Sequence, residues 1–120
     1  LGKDAPEILY WAGKKLARKF PLYNMDEVIA FFHEADWGFL VVKEEKRKEV
    51  SLELSGEWIT HRLEKDVHST FQLEAGFLAQ QLEMQTKVVS EAFEHPRRRS
   101  GKILFTIKWD LKDPINEEQK

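Results

Sequence analysis

A large aromatic among cations is the first feature of chemical interest. Trp11 shares one side of a helix with Lys14, Lys15 and Arg18, and Tyr10 lies at its margin. Lysine and arginine stems pack over aromatic rings in many folds, a reading that needs no ligand. The same four residues also form a candidate docking face for an anionic group or a partner. His61 and His68 stand seven residues apart, but a metal site wants further ligands at diagnostic spacing. The expectation is no metal and no cofactor. Three consecutive arginines, Arg97, Arg98 and Arg99, invite a phosphate, yet they fall in a hairpin connection of a chain with 19 basic and 21 acidic side chains. Phosphate binding draws on a wider basic field, so these arginines read as a solvated turn and no nucleic-acid partner is expected.

The remaining routes to catalysis are weak. Ser55, Ser69, Ser90 and Ser100 are available, but none lies in a G-x-S-x-G elbow. Without cysteine the chain has no thiolate nucleophile, no thiolate metal site and no disulfide, which suits a reducing, cytoplasmic compartment. The glycines have no spacing that would cradle a nucleotide phosphate. Glu44/Glu45 and Glu91/Glu94 are paired carboxylates at turn or strand-end positions. Glu74 and Gln81 flank an apolar helical stripe; they read as ordinary polar residues on the surface, or else as the polar margin of a pocket. No catalytic residue is assigned, and the reading leans away from an enzyme.

The elements that must hold these residues follow from periodicity. Asp4-Ala5-Pro6-Glu7 has the form of a helix start, and Pro21 closes that helix after Phe20. Its apolar stripe is Leu9, Ala12, Gly13, Leu16 and Phe20. Asn24-Met25-Asp26-Glu27 is a second capping box, followed by Val28, Phe31, Phe32 and Ala35 on one stripe, with His33 and Glu34 toward solvent. Trp37-Gly38 ends it, and the period then switches to two. Residues 39–43 form a strand, 44–48 a charged turn, and Glu49 to Ser55 a strand with Val50, Leu52 and Leu54 on one face. Trp58, Ile59 and Leu63 suit a short turn of helix laid on the core.

Phe71 to Gln85 is a helix apolar on two sides. Phe71, Ala75, Leu78, Ala79 and Leu82 make one stripe, and Leu73, Phe77 and Met84 the other. Such a helix is sandwiched between layers or lies at a subunit interface. Gly76 costs about 1 kcal/mol of propensity against Ala, which close approach of a neighbouring backbone would explain. Leu73, Gly76, Phe77 and Met84 are therefore the candidate interface, buried at least partly by a second copy. Two further strands, 87–94 and 102–109, flank the arginine hairpin, with Ile103, Phe105, Ile107 and Trp109 on one face and Leu104 as an apolar exception on the other.

The order α-α-β-β-α-β-β predicts an α+β domain over residues 1–114, a four-stranded antiparallel sheet with helices packed on one face, and a polar tail at 115–120. The predicted core is Leu9, Leu16, Phe20, Val28, Phe31, Phe32, Leu52, Leu54, Phe71, Ala75, Leu78, Leu82, Phe105 and Ile107. Length (120 residues) and a 42% hydrophobic content support one core and no second. No apolar run reaches the roughly 20 residues that cross a bilayer.

Four motifs in order carry a family resemblance. Tyr10-Trp11-Ala12-Gly13-Lys14-Lys15-Leu16-Ala17-Arg18-Lys19-Phe20-Pro21 resembles the opening motif of the YslB-like proteins, a family of uncharacterised function from Firmicutes. Ala35-Asp36-Trp37-Gly38, Phe71-Gln72-Leu73-Glu74-Ala75-Gly76-Phe77 and Lys108-Trp109-Asp110-Leu111-Lys112-Asp113-Pro114 resemble its later signatures. In that family a further helix precedes the first motif, which implies a segment upstream of Leu1 that would cover Trp11. The family is in turn similar to the vinyl reductase-type domain and to TRAPP transport-complex subunits. That similarity implies a helix-covered antiparallel sheet, often dimeric through helices. Relatives that bind metal or an acyl chain rely on cysteines, so those activities do not carry over to this chain. The expected function is a non-catalytic interaction or assembly module, homodimeric or with an unidentified protein partner. The alternative is a domain or enzyme that takes an apolar small molecule between helices and sheet.

Overall fold

A computed structural model describes residues 5–66 and 70–114. In chain order the elements are α1 (Ala5–Lys19), α2 (Met25–Glu34), β1 (Phe39–Glu45), β2 (Glu49–Ser55), α3 (Glu57–Lys65), α4 (Gln72–Thr86), β3 (Val88–Arg97) and β4 (Lys102–Pro114). The expected α+β order holds, with one helix more: α3 is a full element, seated on the core by Ile59 and Leu63 while Trp58 stays exposed. The four strands pair antiparallel in the order β1-β2-β4-β3, so β1 and β3 are the edges.

Alternation places the sheet as the sequence implies. Val50, Leu52 and Leu54 of β2 and Ile103, Phe105 and Ile107 of β4 face the helices and are buried. The opposite face carries Glu53, whose carboxylate lies 3.6 Å from the Lys102 ammonium, and the expected exception, Leu104. Antiparallel sheets tolerate one wetted face in this way. β4 is longer than its alternating core suggests, and its far end pairs Val88 with Pro114. The tail predicted at 115–120 lies outside the described residues.

α4 is the middle layer. Nine consecutive residues from Glu74 to Leu82 are buried, because the sheet covers one side, α1 the other, and α2 a flank. The two stripes of the sequence are real, and both are filled by this chain. Phe77 is wholly buried, stacked on Phe31 with centroids 4.8 Å apart and edge-on to Trp37 at 5.2 Å. Gly76 lies against the Tyr10 backbone of α1 and Gly13 against the Leu73 backbone of α4. Leu73 and Met84 are half-buried. Of the residues expected at a subunit interface, Gly76 and Phe77 are thus covered from within the chain by α1 and α2.

α1 is turned from its expected orientation. Gly13, Ala17 and the backbone of Tyr10 face α4, whereas Leu9 (39% exposed) and Phe20 (51%), both expected in the core, lie open. Leu16 and Phe31 are half-buried and the other predicted core residues are buried. The reason is size. A helix that approaches another at backbone contact must present its smallest residues there, and its larger aliphatic side chains are pushed outward.

Candidate functional site

The N-terminal half of α1 runs beside the free edge of β3 and leaves a groove of about 740 Å³ between them. Helical spacing brings Tyr10, Trp11 and Lys14 to one wall; Glu91, Phe93 and His95 come from the strand, and Gln72 and Glu7 close the ends. The Lys14 ammonium lies 5.6 Å from the Tyr10 ring centre and 5.9 Å from that of Trp11. From the outer sheet face, the Lys108 ammonium lies 5.9 Å from the Phe93 ring.

Two donors of the strand edge beneath this groove are already bonded. The Ala92 N–H donates to the Tyr10 hydroxyl at 3.1 Å, and the Ser90 N–H donates to Glu83 Oε1 at 3.2 Å. Pro96, two pairs further on, has no N–H to offer. Side chains from two helices thus satisfy donors that would otherwise invite another strand. Burial holds the Tyr10 phenol above its ordinary titration range; the Ala92 N–H pulls the other way, and the Glu91 and Glu83 carboxylates push up again.

The four residues of the expected docking face meet in pairs, Trp11 with Lys14, Trp11 with Lys15 and Lys15 with Arg18, each pair at a different hollow. Trp11 and Lys14 line the groove, Lys15 lies on the outer face of α1, and Arg18 Nη2 donates to Gln80 Oε1 at 3.4 Å. Around Lys15 the outer face is unusually apolar: Ile8 is 55% and Trp11 59% exposed, with Ala12 and Leu16 between charged neighbours. Two shallow hollows of about 440 and 470 Å³ lie on this surface, one toward Ile8 and the other toward Leu16, and both are walled by Ala12 and Lys15.

Several polar residues have structural duties that their sequence setting hid. Glu94, expected as strand-end surface, accepts from the Phe71 N–H at 3.0 Å and from Gln72 Nε2, and so caps the start of α4 from a different element. Glu74 and Gln81, expected as ordinary polar residues on the surface, are buried. Glu74 pairs with Arg62 at 2.9 Å, while its Oε1 has no hydrogen-bond partner. Gln81 accepts from the Leu22 N–H at 3.0 Å and donates to the Phe20 carbonyl at 2.8 Å, tying the α1–α2 turn to α4. Arg98, expected in a solvated turn, donates to the Leu63 carbonyl at 2.8 Å. For Glu74 and Gln81 the sequence signal is a polar side chain beside the apolar stripes of α4; Glu94 and Arg98 carry none.

Among the candidate nucleophiles, Ser90 is buried and its hydroxyl donates to the Val88 carbonyl at 2.9 Å. His61 is exposed and stacks on Trp58 at 5.9 Å, while His68 and Ser69 lie outside the described residues. Among the described residues no group of three His, Asp or Glu could hold a metal ion, and no helix is long and apolar enough to cross a membrane.

A four-stranded antiparallel sheet carrying a buried helix under a second helix is a vinyl-4-reductase-like fold. The chain is similar to the crystal structure of a vinyl-4-reductase family protein from Methanocaldococcus jannaschii, with a TM-score of 0.68 and 20% identity, over 85% of this chain and 68% of that one. Residues 1–108 match the family described as "Protein of unknown function (DUF2507)", and the chain belongs to it. It is also 45% identical over 115 residues to the uncharacterized protein YslB of Bacillus subtilis (strain 168), covering 96% of this chain and 78% of the relative.

Proposed function

We propose that this protein is a non-catalytic interaction module that pairs with a second copy of itself through the outer face of α1. The supporting observation is that uncovered apolar face: Ile8, Leu9 and Trp11 lie open on the helix whose other side meets α4 at backbone distance. Contiguous apolar surface of this kind marks an interaction site. The surface is also self-complementary. Turned end for end about Ala12, α1 sets Ile8 opposite Leu16, and the two hollows flanking Ala12 exchange places. An isologous twofold contact demands that property. Sedimentation equilibrium tests the reading. The native chain should run at twice the mass of one chain, and Ile8→Glu should give a folded protein at half that mass. A native chain that stays monomeric at high micromolar concentration would refute it.

A second reading, a small-molecule binding domain, is supported by the groove between α1 and β3, whose aromatic walls and polar ends have the character of a ligand site.

A further inference from the structure

We infer that the groove between α1 and β3 binds a small organic cation of the alkylammonium class; this rests on the second reading above and gives it a ligand chemistry. Tyr10, Trp11 and Phe93 line one cavity, and its lining carries three carboxylates (Glu7, Glu91 and Glu94) against one ammonium (Lys14), with the Lys108 ammonium 5.9 Å from the Phe93 ring on the outer sheet face. Aromatic faces with surrounding negative charge recognise alkylated ammonium groups through the ring quadrupole.

The protein's own cations already sample these faces. Lys14 stands within 6 Å of the Tyr10 and Trp11 rings, at 5.6 Å and 5.9 Å, and is tethered there by helical spacing alone. It marks where a ligand cation gains most, and it competes with one. An extended peptide is a poor occupant, because the Ser90 and Ala92 N–H groups that would bind its backbone are taken by Glu83 and Tyr10. A compact ligand needs neither.

The test is a titration of the full chain with choline chloride, followed by NMR at the Trp11 indole N–H and the Glu91 and Phe93 amides. Sodium chloride controls for ionic strength, and 3,3-dimethylbutan-1-ol serves as a neutral probe of the same shape. Choline should shift these signals saturably, and the neutral alcohol should leave them in place. Glu91→Gln and Phe93→Ala, both at exposed positions, should keep the fold and weaken choline about three- to ten-fold. Lys14→Met should tighten it by about as much. Equal binding of the alcohol, or choline affinity indifferent to all three variants, would overturn the cation inference while leaving a ligand groove. No saturable shift with either probe would overturn both. Co-sedimentation with phosphatidylcholine vesicles, competed by choline, would assign the cation to a lipid headgroup and overturn the free-ligand form.

Discussion

Gly13 and Gly76 face opposite backbones at the crossing of α1 and α4. A methyl group on Gly13 would collide with the Leu73 carbonyl and come within 2.8 Å of the Phe77 nitrogen, and one on Gly76 would lie 2.9 Å from the Tyr10 carbonyl carbon. The two helices therefore meet at backbone contact, and everything else about α1 follows from that fit. Its large side chains cannot lie between the helices, so Tyr10 goes to the strand edge while Ile8 and Trp11 go outward.

Gly13→Ala and Gly76→Ala should each destabilise the fold, although alanine is the better helix former by about 1 kcal/mol. Forcing packed backbones apart typically costs about 1–3 kcal/mol, and backbone has less freedom to yield than a side chain. Urea unfolding of each variant gives the sign. A net gain in stability would mean that the helices are not in contact as described.

Gln81→Leu should cost about 1–3 kcal/mol, because it leaves the Leu22 N–H and the Phe20 carbonyl without their partner. Hydrogen exchange should show faster loss of protection at the Leu22 amide than at β4. A variant with native stability and unchanged Leu22 exchange would deny Gln81 its role as a tie.

Removing Arg62 should be worse than removing its whole ion pair. Arg62→Met leaves the Glu74 carboxylate buried, a situation that costs about 3–5 kcal/mol in well-enclosed pairs. Arg62→Met combined with Glu74→Leu should recover a large part of that loss. Thermal unfolding of the single and double variants reads the difference directly.

Stability should fall at high pH through Tyr10. Its phenol titrates higher in the folded protein than the ordinary value near 10, mainly because it is buried. The folded state thus holds the proton more tightly than the unfolded one. The contribution is fully present below about pH 10 and is lost as pH rises through the raised value. Tyr10→Phe should flatten that part of the stability curve relative to the native chain. It should also lower stability at neutral pH by freeing the Ala92 N–H.

What the sequence made legible divides along physical lines. Alternation in Val50-Leu52-Leu54 and Ile103-Phe105-Ile107 fixes the inward sheet face, because period two has only two answers. The Asn24 cap marks the start of α2, where its side chain accepts from the Glu27 N–H at 2.9 Å. The facing of α1 was less legible. Apolar spacing points Leu9, Gly13, Leu16 and Phe20 inward, but the contact selects by size and takes Gly13, Ala17 and the backbone of Tyr10. The groove was half legible: Trp11 and Lys14 stand out by type, whereas Glu91 and Phe93 join them only because β3 is the edge strand beside α1. Strand order depends on pairings far apart in sequence, and local pattern does not encode them.

The central claim, a twofold contact centred on Ala12, has a direct measurement, since the chain has no cysteine of its own. In Ala12→Cys the two new thiols lie on the symmetry axis, whereas in Val41→Cys the thiol sits at an exposed position on the far face of the sheet. Under mild oxidation Ala12→Cys should convert to a disulfide-linked dimer at low micromolar concentration, while Val41→Cys stays largely monomeric. Ala12→Cys cross-linking no faster than Val41→Cys would contradict the account.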